Sequence, residues 1–415
     1  MAWIKRTACV ILFLAYIFLI FKSVRSNPYI YLAASTFLVL VWLAFTAGKA
    51  TNLKAIYVNL AVLALAFALG EAYLAGWFAV GAASEPSRAA RMAGTYTVWG
   101  SYFTPDDLRG YAGAKNAQIT SKLYHGNELV YDVVYTTNQY GLRVSPHDLK
   151  PDNLTLKKDV ANVAFFGCSF TVGEGLNDNE TLPYLFEEKS NGEYLTYNFG
   201  FHGYGPHQML RILESGWLDK VLIKKGPLLA VYWALLPHIE RSAGNYPYFV
   251  WDAYGPRYKL NSSGEVEYAG KFKDASIIKR FIPVLNKSLI IQKINILPGI
   301  WGWKRNRQDI KLFVKIIQKS QEIVADKYHG DFYVLLGLDK NDPDHEYVLA
   351  ELKRNKVKVI TTQEIFSRYN DDEEKYYIKG EGHPNKLAND RIAEYLLKYF
   401  HSKRERVRVR EISFR

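Results

Sequence analysis

Two stretches far apart in the chain carry the residue types of nucleophilic catalysis. The first is Gly167-Cys168-Ser169-Phe170-Thr171-Val172-Gly173-Glu174-Gly175, directly after an apolar run of strand length. A glycine two residues ahead of a serine permits a sharp strand-to-helix turn and holds the hydroxyl clear of the sheet. The amides at the start of the following helix are donors for a developing oxyanion. The spacing is not a G-x-S-x-G elbow, and by itself it also fits a turn with a capping serine. The second stretch, Glu381-Gly382-His383-Pro384-Asn385, precedes an amphipathic segment whose apolar face includes Leu387, Ile392, Ala393, Leu396 and Leu397. A histidine in such a loop, with a carboxylate two residues upstream, supplies the base and acid of a serine relay.

The elements that must bring these stretches together follow from periodicity. From Val160 onward, short apolar runs alternate with helical segments. The strands are expected at Ala161 to Phe166, Tyr194 to Phe199, Leu228 to Ala234, Asp331 to Leu336 and Val357 to Ile360. Alternation of this kind predicts an α/β fold, a parallel sheet covered on both faces, with ligands at the carboxyl ends of the strands. Ser169 lies just past the first of those ends. Ahead of it, Ile119 to Tyr124 and Glu128 to Thr136 flank His125-Gly126-Asn127 and predict a hairpin.

The N-terminal part reads differently. Spans are expected at about 7–24, 29–48 and 55–80, each approaching the roughly 20 apolar residues that cross a bilayer as a helix. Glu71 interrupts the third and is expected near an interface, because a carboxylate at mid-bilayer costs at least about 2.5 kcal/mol. Lys5, Arg6, Lys49 and Lys54 fall on one side and Lys22 and Arg25 on the other. Positive-inside then predicts a cytoplasmic N-terminus and, after three spans, an extracytoplasmic remainder. The organisation expected is a transmembrane region, 1–81; a juxtamembrane β-containing module, 82–158; a catalytic-type domain, 159–402, with an aromatic insertion at about 241–305; and a basic tail, 403–415.

Composition narrows the classes further. Of 415 residues, 49% are apolar and 23% charged, which excludes disorder. Net charge is +12, but no groove-reading motif accompanies it, so nucleic acid is not an expected partner. The bilayer is. With only Cys9 and Cys168, a disulfide framework and a cysteine zinc site are excluded, and neither a metal nor a cofactor is expected.

Taken in order, three blocks resemble those of the SGNH hydrolase superfamily, the GDSL-like esterases. Gly167-Cys-Ser169-Phe-Thr-x-Gly173 is similar to the nucleophile block, Asn198-Phe-Gly-Phe-His-Gly203-Tyr-Gly205-Pro-His-Gln208 to the oxyanion block, and Glu381-Gly-His383-Pro to the acid and base block. The resemblance covers roughly residues 160 to 402 and implies a flavodoxin-like three-layer domain. It implies Ser169 as nucleophile, His383 as base, and the amides of Ser169 and Gly203 as oxyanion donors.

Two departures stand out. The family usually has an asparagine after the third strand, where this chain reads Trp233-Ala-Leu-Leu-Pro-His238-Ile-Glu-Arg241. His238 is therefore expected as the substitute donor, and Arg241 to orient an acidic group. An aspartate is common where Gly380 stands, so the acid role moves to Glu381. Tyr246 and Trp251, in the insertion, are expected to contact substrate, although such aromatics also pack an insertion onto its domain.

Membrane-tethered relatives add or remove O-acetyl groups on cell-surface polysaccharides. The resemblance thus implies an esterase or O-acyltransferase acting on an extracytoplasmic glycan at a plasma or inner membrane, with a membrane-bound acyltransferase as a partner for transfer. A lipid esterase, or an inactive glycan-binding or assembly component of the same fold, are the alternatives.

Overall fold

The computed structural model describes residues 28–46, 51–74, 102–149, 160–223, 226–245, 248–276, 288–290, 305–337, 342–369 and 373–413. The chain divides into two units, one of Met1–Ser87 with Phe281–Trp301 and one of Arg88–Arg280 with Gly302–Arg415.

In the first unit, helices α1 (Pro28–Thr46) and α2 (Thr51–Leu74) follow the second and third apolar runs. Among the described residues one helix, Asn52–Leu74, is long and apolar enough to cross a membrane. The comparable stretch of α1, Leu32–Ala44, is shorter, so one of the three expected spans has support among the described residues. The first expected span, at about 7–24, lies outside the described residues. Along α2, Leu53, Ile56, Leu60, Val62, Leu63 and Leu69 are exposed. Glu71 is buried and accepts three hydrogen bonds from the far end of the aromatic insertion: the Ser288 hydroxyl, and the amides of Leu289 and Ile290 at 3.0 Å each. Those donors offset the cost of burying a carboxylate.

Among the described residues the second unit begins with β1 (Phe103–Asp106) and β2 (Gly110–Gly113), then the expected hairpin, β3 (Gln118–His125) and β4 (Glu128–Thr136). Its inward residues Ile119, Leu123, Tyr131, Val133 and Tyr135 are buried together with Val172, Phe201 and Tyr204. The segment expected as a separate module therefore shares a core with the loops after Ser169 and around Gly203.

The parallel sheet comprises β5 (Ala161–Phe166), β6 (Tyr194–Asn198), β7 (Leu228–Ala234), β10 (Asp331–Leu336) and β11 (Lys358–Thr361), in the order β11-β10-β7-β5-β6. An antiparallel pair, β8 (Pro256–Leu260) and β9 (Val266–Lys271), belongs to the insertion. Because β5 is apolar at nearly every position, both its faces can be covered. Ala164 and Phe166 pack against the apolar sides of α5 (Pro206–Ser215), α7 (Arg307–Tyr328) and α8 (His345–Arg354). Val163 and Phe165 pack against α4 (Leu182–Lys189) and α9 (Lys386–Ser413). The helix α3 (Ser169–Val172) follows β5, and α6 (Pro237–Ala243) follows β7. The segment expected as a basic tail continues α9.

This order is that of flavodoxin-like sheets. The chain leaves β5 for β6 on one side and returns to β7 on the other, which opens a crevice at the carboxyl ends of β5 and β7. Ser169 stands at that crevice.

Candidate active site

Three turns position the reacting groups. Gly167 has φ +151°, and a Cβ there would lie 2.2 Å from Thr171 Oγ1, so the turn between β5 and α3 closes only around glycine. This places Ser169 at the first position of α3. At the other end, Gly380 and Gly382 have positive φ on either side of Glu381, and Ile378 N–H donates to His383 O at 2.8 Å. The loop folds back so that an acid only two residues before the histidine reaches its ring.

The resulting relay is continuous. Glu381 accepts from the His383 backbone amide at 2.9 Å and, through its other oxygen, from Nδ1 of the ring. With its proton on Nδ1, the imidazole has its lone pair on Nε2, which accepts from Ser169 Oγ at 2.7 Å. The ring of Phe170 meets that of His383 edge to face at 5.2 Å and fixes its plane. Burial disfavours a charge on His383, but the hydrogen bond to Glu381 and the charges of Glu174 and Glu381 outweigh it and raise the pKa above the ordinary imidazole value. Arg241 opposes the shift.

Two cavities flank the pair. The larger, about 1370 Å³, is lined by Glu174, His202, Gly203, Tyr111, Arg241 and Trp251 among others. Ser169 and His383 are not in its wall; Glu174, with a carboxylate oxygen 3.5 Å from His383 Nε2, connects it to them. The smaller, about 260 Å³, is apolar and is lined by Phe170, Trp233, Leu235 and Pro384, neighbours of the reacting residues.

Gly203 lies on the wall of the large cavity, and a Cβ there would meet the Tyr111 hydroxyl at 2.7 Å. Among the described residues the amides of Ser169 and Gly203 have no hydrogen-bond partner, as oxyanion donors require. Arg241 donates to Tyr204 O at 2.9 Å and lines the same cavity, as does the half-exposed Trp251. Tyr246 lies outside the described residues.

His238 corrects the sequence expectation. Proline at 237 starts α6 and turns the next side chain into the core. There His238 is fully buried, its Nδ1 2.6 Å from the Tyr232 hydroxyl and within 3.3 Å of the Leu235 amide, and it borders neither cavity. Burial first, then Arg241 and His207, holds its pKa well below the usual imidazole value. It is a neutral core residue, not an oxyanion donor.

Glu174 and His202 carried no assigned role in the sequence, yet they form a close pair, His202 Nδ1 to Glu174 Oε2 at 2.8 Å, on the cavity wall. Burial works against ionisation of Glu174, but His202, His383 and Arg241 hold its pKa down at about 2. One signal was available: an acid between two glycines directly after the serine helix. Ligand atoms of Glu174, Glu381 and His383 lie within 4.8 Å of one another, a spacing a cation could bridge. Both imidazole nitrogens already serve Glu381 and Ser169, so the set has the chemistry of a proton relay.

Neither a family model nor a curated protein matches the chain. Among solved structures it is similar to a member of the lipolytic protein G-D-S-L family from Veillonella parvula DSM 2008, at 16% identity over 58% of this chain and 99% of that one, with a TM-score of 0.32. It is also similar to a putative lipolytic protein of the G-D-S-L family from Desulfitobacterium hafniense DCB-2, at 15% identity, 57% and 98% coverage and a TM-score of 0.29. A third likeness is to LAE5, an alpha/beta hydrolase enzyme from the metagenome of Lake Arreo, Spain, at 14% identity, 57% and 94% coverage and a TM-score of 0.30. Scores of this size do not carry chemistry from one chain to another, and what this site can do follows from its own geometry.

Proposed function

We propose that the chain is a membrane-anchored serine esterase or O-acyltransferase that handles acetyl esters on an extracytoplasmic glycan. The observation that carries this reading is the 2.7 Å hydrogen bond between Ser169 Oγ and His383 Nε2, with Glu381 on the opposite ring nitrogen. In the first half-reaction Ser169 Oγ attacks the ester carbonyl and its proton passes to Nε2. The amides of Ser169 and Gly203 hold the oxyanion, and the leaving alcohol takes the proton from Nε2 as the ester C–O bond breaks. In the second, His383 removes a proton from the incoming hydroxyl, which attacks the acyl-enzyme; the acyl–Oγ bond then breaks and Ser169 Oγ takes the proton back from Nε2. Water gives hydrolysis and a sugar hydroxyl gives transfer.

The glycan assignment is supported by the size of the larger cavity and by its aromatic and charged wall, with Tyr111, Trp251 and Tyr254 beside Asp106, Lys271 and Lys273. Anchoring is supported by the apolar length of Asn52–Leu74, and an external active domain by the distribution of basic residues around the apolar runs. A lipid ester is the second reading, favoured by the apolar cavity beside Phe170 and Pro384.

The acetyl content of surface polysaccharide, compared between cells carrying the parent chain and Ser169→Ala, tests the first reading. A rise in the variant identifies an esterase and a fall identifies a transferase. An unchanged content, with the variant folded and present, overturns the glycan assignment.

A further inference from the structure

His383 is faced by charged and titratable groups from four elements. Glu381 comes from its own loop and Glu174 from the loop after α3. Arg241 comes from α6, and His202 from the turn after β6 acts through Glu174. The arrangement is asymmetric in a useful way: Glu381 takes the Nδ1 edge of the ring, while Glu174 Oε2 lies 3.5 Å from Nε2, the atom that exchanges protons with Ser169. Glu174 is itself fixed. Its amide donates to Ser169 O at 2.9 Å, its carboxylate bonds His202 Nδ1 at 2.8 Å, and its side chain is 12% exposed.

Resting on the esterase or acyltransferase reading, we propose that Glu174 is a second carboxylate for His383, a positioning residue that stabilises the imidazolium formed during acyl transfer and holds its Nε2 edge toward Ser169. When the Ser169 O–H bond breaks and the Oγ–acyl bond forms, the proton sits on Nε2 and the ring becomes a cation. Glu381 then compensates that cation at one nitrogen and Glu174 at the other. The same interaction strengthens again in the second half-reaction, when the proton of the incoming hydroxyl reaches Nε2. Glu174 accepts no proton in either step, since its own ionisation is secured by His202 and Arg241. The geometry leaves Ser169, at 2.7 Å, the nearer partner of Nε2, so the carboxylate supports the base without displacing the nucleophile.

The rate at which the full-length protein in detergent is labelled by a fluorophosphonate, followed against pH, tests the proposal without knowledge of the substrate. In Glu174→Gln the acid limb of the profile is expected to move to lower pH by about one unit, because a carboxylate 3.5 Å from Nε2 is lost, with the plateau rate down about tenfold or more. A profile and plateau that superimpose on the parent's overturn it. Should that variant not fold, Glu174→Asp, which keeps the charge but retracts it, is expected to move the limb the same way by a smaller amount, and an unmoved limb overturns the proposal equally. Ser169→Ala separates the two layers: labelling that survives this change contradicts the nucleophile itself. Labelling abolished by it but indifferent to Glu174 contradicts only the role of the second carboxylate.

Discussion

The guanidinium of Arg143 lies beneath the loop that follows Ser169 and ties that loop to the β3–β4 hairpin. It has no solvent exposure, donates to the carbonyls of Val172 at 3.0 Å and Gly173 at 2.6 Å, pairs with Asp178 at 2.9 Å, and sits 4.2 Å over the Tyr135 ring. The loop it holds is the one that carries Glu174. Arg143→Met is expected to destabilise the second unit by about 3 to 5 kcal/mol, the usual cost of leaving one partner of a buried pair uncompensated. Chemical denaturation of the full chain in detergent checks this. A loss under about 1 kcal/mol would show that the loop does not depend on the contact.

The pH dependence of turnover has a definite sign. His383 acts as a base only when neutral, and its pKa is raised by Glu381 and Glu174 despite burial. Activity is therefore expected to be high in mildly alkaline solution and to fall as pH drops through a midpoint above the ordinary value near 6.5. Glu381→Gln is expected to move that midpoint down and to lower kcat by about 10²-fold or more, since the amide no longer selects the Nδ1–H tautomer. Arg241→Gln is expected to move it up. Profiles of kcat/KM with a soluble ester, measured for all three proteins, decide the signs.

Substitutions in the large cavity should separate binding from chemistry. Gly203→Val puts a side chain against the Tyr111 hydroxyl and Trp251 Nε1, where even a Cβ would be 2.7 and 3.2 Å away, and displaces the amide assigned to the oxyanion. A loss of about 10²-fold in kcat is expected, in the range for removing one oxyanion donor. Trp251→Ala removes an aromatic face from the cavity wall, and on the proposed substrate-contact role KM should rise with kcat held. Steady-state kinetics with the same ester distinguish the two patterns.

Within the first unit, Gly70 and Ile290 approach closely: a Cβ on Gly70 would lie 3.0 Å from Ile290 Cδ1. Cysteines at both positions are expected to be joined in high yield by a short bifunctional reagent, and Glu71→Leu should lower that yield because Ser288, Leu289 and Ile290 lose their common acceptor. Electrophoretic mobility after limited proteolysis reads the linkage.

Much of this was legible because its causes are local. The runs Ala161–Phe166, Leu228–Ala234 and Asp331–Leu336 are apolar enough on both faces to fit only a covered sheet, and their boundaries coincide with those expected. Ser169, His383 and Glu381 were legible for the same reason, each lying in a turn whose glycines are adjacent in sequence. Arg143 was not, because its acceptors are carbonyls some 30 residues on, and carbonyls have no sequence signature. Glu174 depends on His202, 28 positions away. His238 misled because a polar residue after a strand end looks available, whereas Pro237 commits it to a helix whose inner side faces Tyr232. The destination of the insertion was equally out of reach, since Ser288 meets Glu71 across 217 positions.

The central claim, a nucleophilic hydroxyl activated by a distant imidazole, is tested most directly by covalent labelling with a fluorophosphonate followed by peptide mass spectrometry. The parent protein should carry a single adduct on Ser169 and lose it in both Ser169→Ala and His383→Ala, with all three proteins equally folded. An adduct that persists in either variant, or a folded parent that takes up no label, would contradict the account.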